Sequence, residues 1–127
     1  MSDQHGAIHW SELATSDVHG AKSFFQTVAG WEIAEMPMPD GTYYVCSASG
    51  RPVAGIMSLD MIEGDGMPPC WTTYIAVDDV DKAVGQTEAG GGTVMRAPFD
   101  VPNVGRIAII ADPAGAVVGL ITPASEG

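Results

Sequence analysis

The chain contains an internal duplication, and that constrains its fold more than any single motif does. Sliding the sequence by 62 residues places Glu12-Leu13-Ala14-Thr15-Ser16-Asp17-Val18 on Tyr74-Ile75-Ala76-Val77-Asp78-Asp79-Val80. Ala14/Ala76, Asp17/Asp79, Val18/Val80, Ala21/Ala83 and Gly30/Gly92 are identical pairs. At a shift of 64, Val53-Ala54-Gly55-Ile56 falls on Val117-Val118-Gly119-Leu120. A period near sixty is too long for a solenoid repeat and fits a duplicated module. Two like modules present equivalent surfaces, so a ligand site between them is expected, with matching positions of each half contributing.

The 127 residues, 46% of them hydrophobic, suffice for one domain built of two small modules sharing a core. No run approaches the ~20 apolar residues of a membrane span. The first residues have neither the positive end nor the apolar stretch of a signal peptide, so a cytoplasmic protein is expected. Five Lys and Arg against sixteen Asp and Glu give a formal net charge of −11. That sign opposes binding to phosphate backbones or anionic membranes, so neither nucleic acid nor membrane is an expected partner. Cys46 and Cys70 have no metal-knuckle or redox spacing and read as reduced thiols packed in strands.

Residues 8–14 read as a strand, with Ser16 or Asp17 capping a helix whose apolar residues Val18, Ala21, Phe24, Phe25 and Val28 recur at helical spacing. Gly30 supplies its stop. Strands are expected at 31–36, 42–48 and 52–58, with a turn at Met38-Pro39-Asp40-Gly41. This makes a first βαβββ module over about 8–59. Residues 60–69, with two Gly and two Pro, form a linker. The pattern restarts over 70–123: a strand at 70–77, a cap at Asp78 or Asp79 and a helix over 80–89. Strands follow at 93–97, 105–111 and 116–122, with a Pro-bounded loop over 98–103.

Three segments carry a family resemblance. One is the opening strand and helix with Asp17, Ala21, Phe24-Phe25 and Gly30-Trp31. The second is Trp71 to Asp81, with Gly91-Gly92 after its helix. The third is Val104-Gly105-Arg106 followed by Asp112-Pro113-Ala114-Gly115. In order and spacing the chain resembles the vicinal-oxygen-chelate superfamily of glyoxalases, bleomycin-resistance proteins and extradiol dioxygenases. The resemblance implies an α+β fold: two tandem βαβββ modules forming curved mixed sheets around a cavity. It also implies a homodimer, and in metal-using members a divalent ion held from four strands. The corresponding positions here are Trp10, Gly55, Thr72 and Gly119, and none carries an imidazole or carboxylate. The expectation is therefore a small-molecule site without a metal or other cofactor. The alternative is a lyase, isomerase or dioxygenase acting on a small carbonyl compound, with or without a divalent ion.

Strand alternation places Trp10, Glu12 and Ala14 on one surface, with Thr72, Tyr74 and Ala76 as their counterparts. Glycine at 55 and 119 would leave open space there. Glu12 is the candidate catalytic residue, as a general base in an apolar pocket, or else a holder of a cationic ligand group; its alternative is a carboxylate paired with Arg106 or one reaching solvent at the sheet edge. Tyr74 either donates to a bound carbonyl or is an ordinary half-buried strand tyrosine. Arg106 either grips a ligand carboxylate or pairs with an acidic neighbour. The expected ligand-binding set is Trp10, Glu12, Gly55, Thr72, Tyr74, Arg106 and Gly119. Trp71 is expected to pack in the core under a helix, or at a subunit contact.

Overall fold

Two aspartates start the helices. Asp17 accepts a hydrogen bond from Gly20 N at 2.9 Å, and Asp79 accepts one from Lys82 N at 3.2 Å. Each satisfies an amide that a helix start leaves open, so α1 runs over Val18–Val28 and α2 over Val80–Ala89. The computed structural model describes residues 4–39, 41–61, 68–101 and 104–124. Its strands are β1 (Ile8–Thr15), β2 (Glu32–Met38), β3 (Gly41–Ala48), β4 (Arg51–Ser58), β5 (Cys70–Ala76), β6 (Thr93–Val101), β7 (Gly105–Ala111) and β8 (Val117–Pro123). The order β1-α1-β2-β3-β4, β5-α2-β6-β7-β8 is the doubled βαβββ pattern, and the fold is α+β. No helix among the described residues is long and apolar enough to cross a membrane.

The chain divides into two units, Trp10–Thr72 and a second formed by the residues up to His9 together with the chain from Thr73 onward. Inside the first, strands lie in the order β2-β3-β4-β1, with β1 and β4 parallel and the other pairs antiparallel. Its core is Leu13, Cys46, Ala54 and Ile56, covered by Val18, Ala21 and Phe25 of α1. Removing a large apolar side chain such as Ile56 from water stabilises the fold by ~1.5–3 kcal/mol. Trp31 stacks on Phe25 at 5.2 Å, and Trp71 meets both rings edge-on at 5.6 and 6.3 Å. Trp71 thus touches the Phe25 ring of α1 yet stays 44% exposed, so it is not the core residue its sequence position suggests.

The second unit repeats the plan, β5-β8-β7-β6 with β5 and β8 parallel. Its core is Val80, Ala108 and Leu120, with Ile75, Ala83, Val84 and Ile110 packed against it. The residues before β1 are tied in by two backbone bonds, Gly6 N to Ala76 O and Ala76 N to Ala7 O.

Several expected boundaries shift, two of them at prolines. The Pro-bounded loop at 98–103 is mostly strand, because β6 runs to Val101. β6 is the last strand of its unit's sheet, and its register with β7 shifts between Arg96 and Phe99, which accommodates Pro98. β2 likewise extends through Pro37 to Met38, again on an outer strand, while Trp31 stays outside it. The linker expected at 60–69 begins in a short 3-10 turn, Leu59–Met61. Its residues 62–67, with Asp40 of the first turn and residues 102–103, lie outside the described residues.

Candidate functional site

Alternation along β1 sends Leu13 into the core beneath α1 and turns Trp10 and Glu12 to the opposite face. On that face Glu12 is directly opposite Gly55 of β4. The space above Gly55 is not open: a Cβ there would collide with the Tyr43 hydroxyl. Tyr43 comes from β3 and closes a chain of hydrogen bonds. Trp10 Nε1 donates to the Tyr43 hydroxyl at 2.8 Å, and that hydroxyl donates to Glu12 Oε2 at 2.9 Å. An indole N–H only donates and a carboxylate only accepts, so a hydroxyl is the group that can join them. All three side chains are half-buried.

The second unit repeats this register with different chemistry. Tyr74 of β5 lies opposite Gly119 of β8, as Glu12 lies opposite Gly55. This equivalence supports the alignment of Gly55 with Gly119 by a direct geometric criterion. A Cβ at Gly119 would collide with the Tyr74 ring, and Tyr74 is only 7% exposed. The expectation that glycine leaves room at 55 and 119 is therefore overturned: a tyrosine fills each position. Thr72 precedes Tyr74 by two residues on β5 and is half-buried.

Arg106 stands elsewhere, beside α2 on the helix-covered face of its sheet. Its Nε and Nη2 donate to both carboxylate oxygens of Asp81 at 2.7 and 3.0 Å, and Nη1 is 3.2 Å from Asp100. These contacts, Asp81 first, raise the Arg106 pKa, and the Arg106 hydrogen bond holds the Asp81 carboxyl below its ordinary value. The structure thus groups Trp10, Glu12 and Gly55 around Tyr43, stacks Tyr74 over Gly119, and gives Arg106 two acidic neighbours. Sequence reasoning missed Tyr43. The available signal was glycine inside a strand, which often marks a close approach by another group.

A separate surface groove of about 450 Å³ opens at the start of α1, lined by Ser16, Asp17, Val18, His19, Gly41, Thr42, Tyr44, Ser58 and Asp60. It contains none of the residues singled out above as ligand-binding.

The sequence over residues 7–120 matches the profile of the Glyoxalase/Bleomycin resistance protein/Dioxygenase superfamily. The chain belongs to this superfamily. It is 42% identical over 119 residues to the putative glyoxylase CFP32 of Mycobacterium tuberculosis, covering 92% of this chain and 46% of that protein. The anthracycline biosynthesis protein DnrV of Streptomyces peucetius is 34% identical over 123 residues, covering 87% of this chain and 45% of that protein. The chain therefore spans about half the length of the curated relatives it matches. Among solved structures, methylmalonyl-CoA epimerase from Mycobacterium tuberculosis superposes with a TM-score of 0.69 at 16% identity, covering 98% of this chain and 93% of the other. At that identity the likeness concerns the glyoxalase-like fold.

The superfamily includes metal-using members, and the described residues at the four corresponding positions do not fit a divalent ion. Among the described residues no three His, Cys, Asp or Glu side chains converge. Of the four positions corresponding to ligands, Gly55 and Gly119 offer no side-chain donor and have tyrosines seated on them. Trp10 presents an N–H with no lone pair, and Thr72 a neutral hydroxyl.

Proposed function

We propose that this superfamily member binds a small organic molecule at the face formed by Trp10, Tyr43 and Glu12, without a catalytic metal. The observation that carries this reading is the hydrogen-bonded chain Trp10–Tyr43–Glu12 over Gly55. It places one carboxylate, one hydroxyl and one flat apolar ring together on a half-buried surface. A few convergent polar groups in apolar surroundings are the usual make-up of a small-molecule site. Tyr74 and Thr72 extend the candidate set, and Arg106 does so only if its acidic partners release it. Association of two copies and a cytoplasmic location belong to the same proposal.

A second reading is favoured by the names of the relatives. One is a putative glyoxylase and a fold neighbour is an epimerase, so this chain would be a lyase- or isomerase-type enzyme acting on a small carbonyl compound. In that case Glu12 is the general base, with Tyr43 as its hydrogen-bond partner.

A ligand screen followed by Glu12→Gln separates the two. If Glu12 only binds, the variant weakens affinity tenfold or more and no carbonyl substrate is turned over by either protein. If it is the base, affinity is nearly kept while turnover falls by 10² or more. Ligand binding and turnover both indifferent to Glu12→Gln remove both readings of this face. Stoichiometric nickel, zinc, iron or manganese in purified protein removes the metal-free part.

A further inference from the structure

The duplication serves as an internal control for the surface of α1. Phe24, Phe25, Val28 and Trp31 stand where the second module has Gln86, Thr87, Gly90 and Thr93. Trp71 stands where the first module has His9. The second module forms its four strands and its capped helix with none of these aromatic side chains, so the fold does not require them. In the first unit they make one cluster, with the Phe25 ring centre 5.0 Å from Phe24, 5.2 Å from Trp31 and 5.6 Å from Trp71. Phe25 and Trp31 help to cover the core, whereas Phe24, Val28 and Trp71 are exposed. The same stretch carries no negative charge. Sixteen Asp and Glu give the chain its net charge of −11, yet none lies between Asp17 and Glu32. Helix α2, by contrast, carries Asp81 and Glu88. The one Lys of α1, Lys22, lies over the Tyr44 ring, 4.4 Å from its centre.

We infer that the face presenting Phe24, Val28 and Trp71 is where two copies of this chain meet. This rests on the association of two copies proposed above, and gives it a surface. A twofold contact sets a patch against its own copy, so the patch has to be complementary to itself. An acidic face fails that requirement through like-charge repulsion, and an uncharged apolar one meets it. Two bodies of −11 repel each other, and a face without carboxylates adds the least to that repulsion at contact. The centres of such interfaces are built from aromatic side chains, and a polar rim completes the ~800 Å² that each partner usually buries. An anionic membrane surface also takes up exposed aromatic rings, but the charge of the chain opposes it.

Sedimentation equilibrium of the whole chain at low and high salt tests the face. The unaltered chain is expected to form a dimer that tightens several-fold between about 0.05 and about 0.5 M sodium chloride. Salt screens the repulsion between the copies and leaves the apolar contact in place. Phe24→Gln and Val28→Gln should each raise the dissociation constant at least tenfold, since each change enters a twofold interface twice. Both replace exposed side chains, and Val28→Gln serves if Phe24→Gln does not fold. Met95→Gln, at an exposed apolar position on β6, should leave the dimer unchanged. A dimer indifferent to both α1 variants, one equally weakened by Met95→Gln, or one that loosens as salt rises overturns this face. Each of those results leaves the association of copies standing. A single-chain mass for the unaltered protein at micromolar concentration and high salt overturns both the face and the association.

Discussion

Gly119 and Gly55 have the same task, to let a tyrosine lie against the backbone. At Gly119 the neighbour is the body of the buried Tyr74 ring, which has little freedom to yield. Gly119→Ala should therefore destabilise by ~1–3 kcal/mol through overpacking, measurable as a lowered urea midpoint. A midpoint unchanged within error would show that the ring is not seated there. The two cysteines also differ at this scale. Cys46 is wholly buried in the first core, and burial pushes its thiol up from 9.0 to about 11. A group whose neutral form the fold favours stabilises fully below its unfolded pKa, and that contribution is lost as pH rises through the folded value. Stability should thus decline between pH 9 and 11 in the parent, and less so in Cys46→Ala. A parallel decline in both would dismiss the effect.

The elements were legible because their signals are local. Both helices start at an aspartate cap, and the choice left open between Ser16 and Asp17, or Asp78 and Asp79, resolves to the later residue each time. In the first helix the cap also explains Gly20, since a Cβ there would meet the Asp17 carboxylate. Asp17→Ala and Asp79→Ala should each cost ~1 kcal/mol of stability in chemical denaturation, and no loss in either would deny the cap its role. The helices are not equal otherwise. Phe24 and Val28 of α1 are 57% and 64% exposed, where the repeat has Gln86 and Gly90. Strand limits were less legible at Pro37 and Pro98. Proline opposes a strand in general, yet an outer strand or a bulge relieves the missing N–H.

For the whole molecule, the duplication gives two four-strand sets of identical order with unlike faces. One carries a hydrogen-bonded Trp, Tyr and Glu; the other carries a tyrosine packed on glycine. The proposed association of two copies is checked by sedimentation, which should return twice the chain mass of 13.2 kDa. A single-chain mass at micromolar concentration would remove dimerisation from the proposal.

What the sequence by itself determined is the module order, the helix caps and the strand alternation that pairs Trp10 with Glu12. Those features depend on periods of two to four residues and on a long repeat, all written along one chain. Only the tertiary structure decided that Tyr43 reaches Glu12 across 31 residues of sequence, and that Arg106 faces Asp81 and Asp100. Such contacts depend on strand register and on the direction each side chain takes from its strand. A one-residue change in either sends the same residue to the opposite face, and no local pattern encodes that choice.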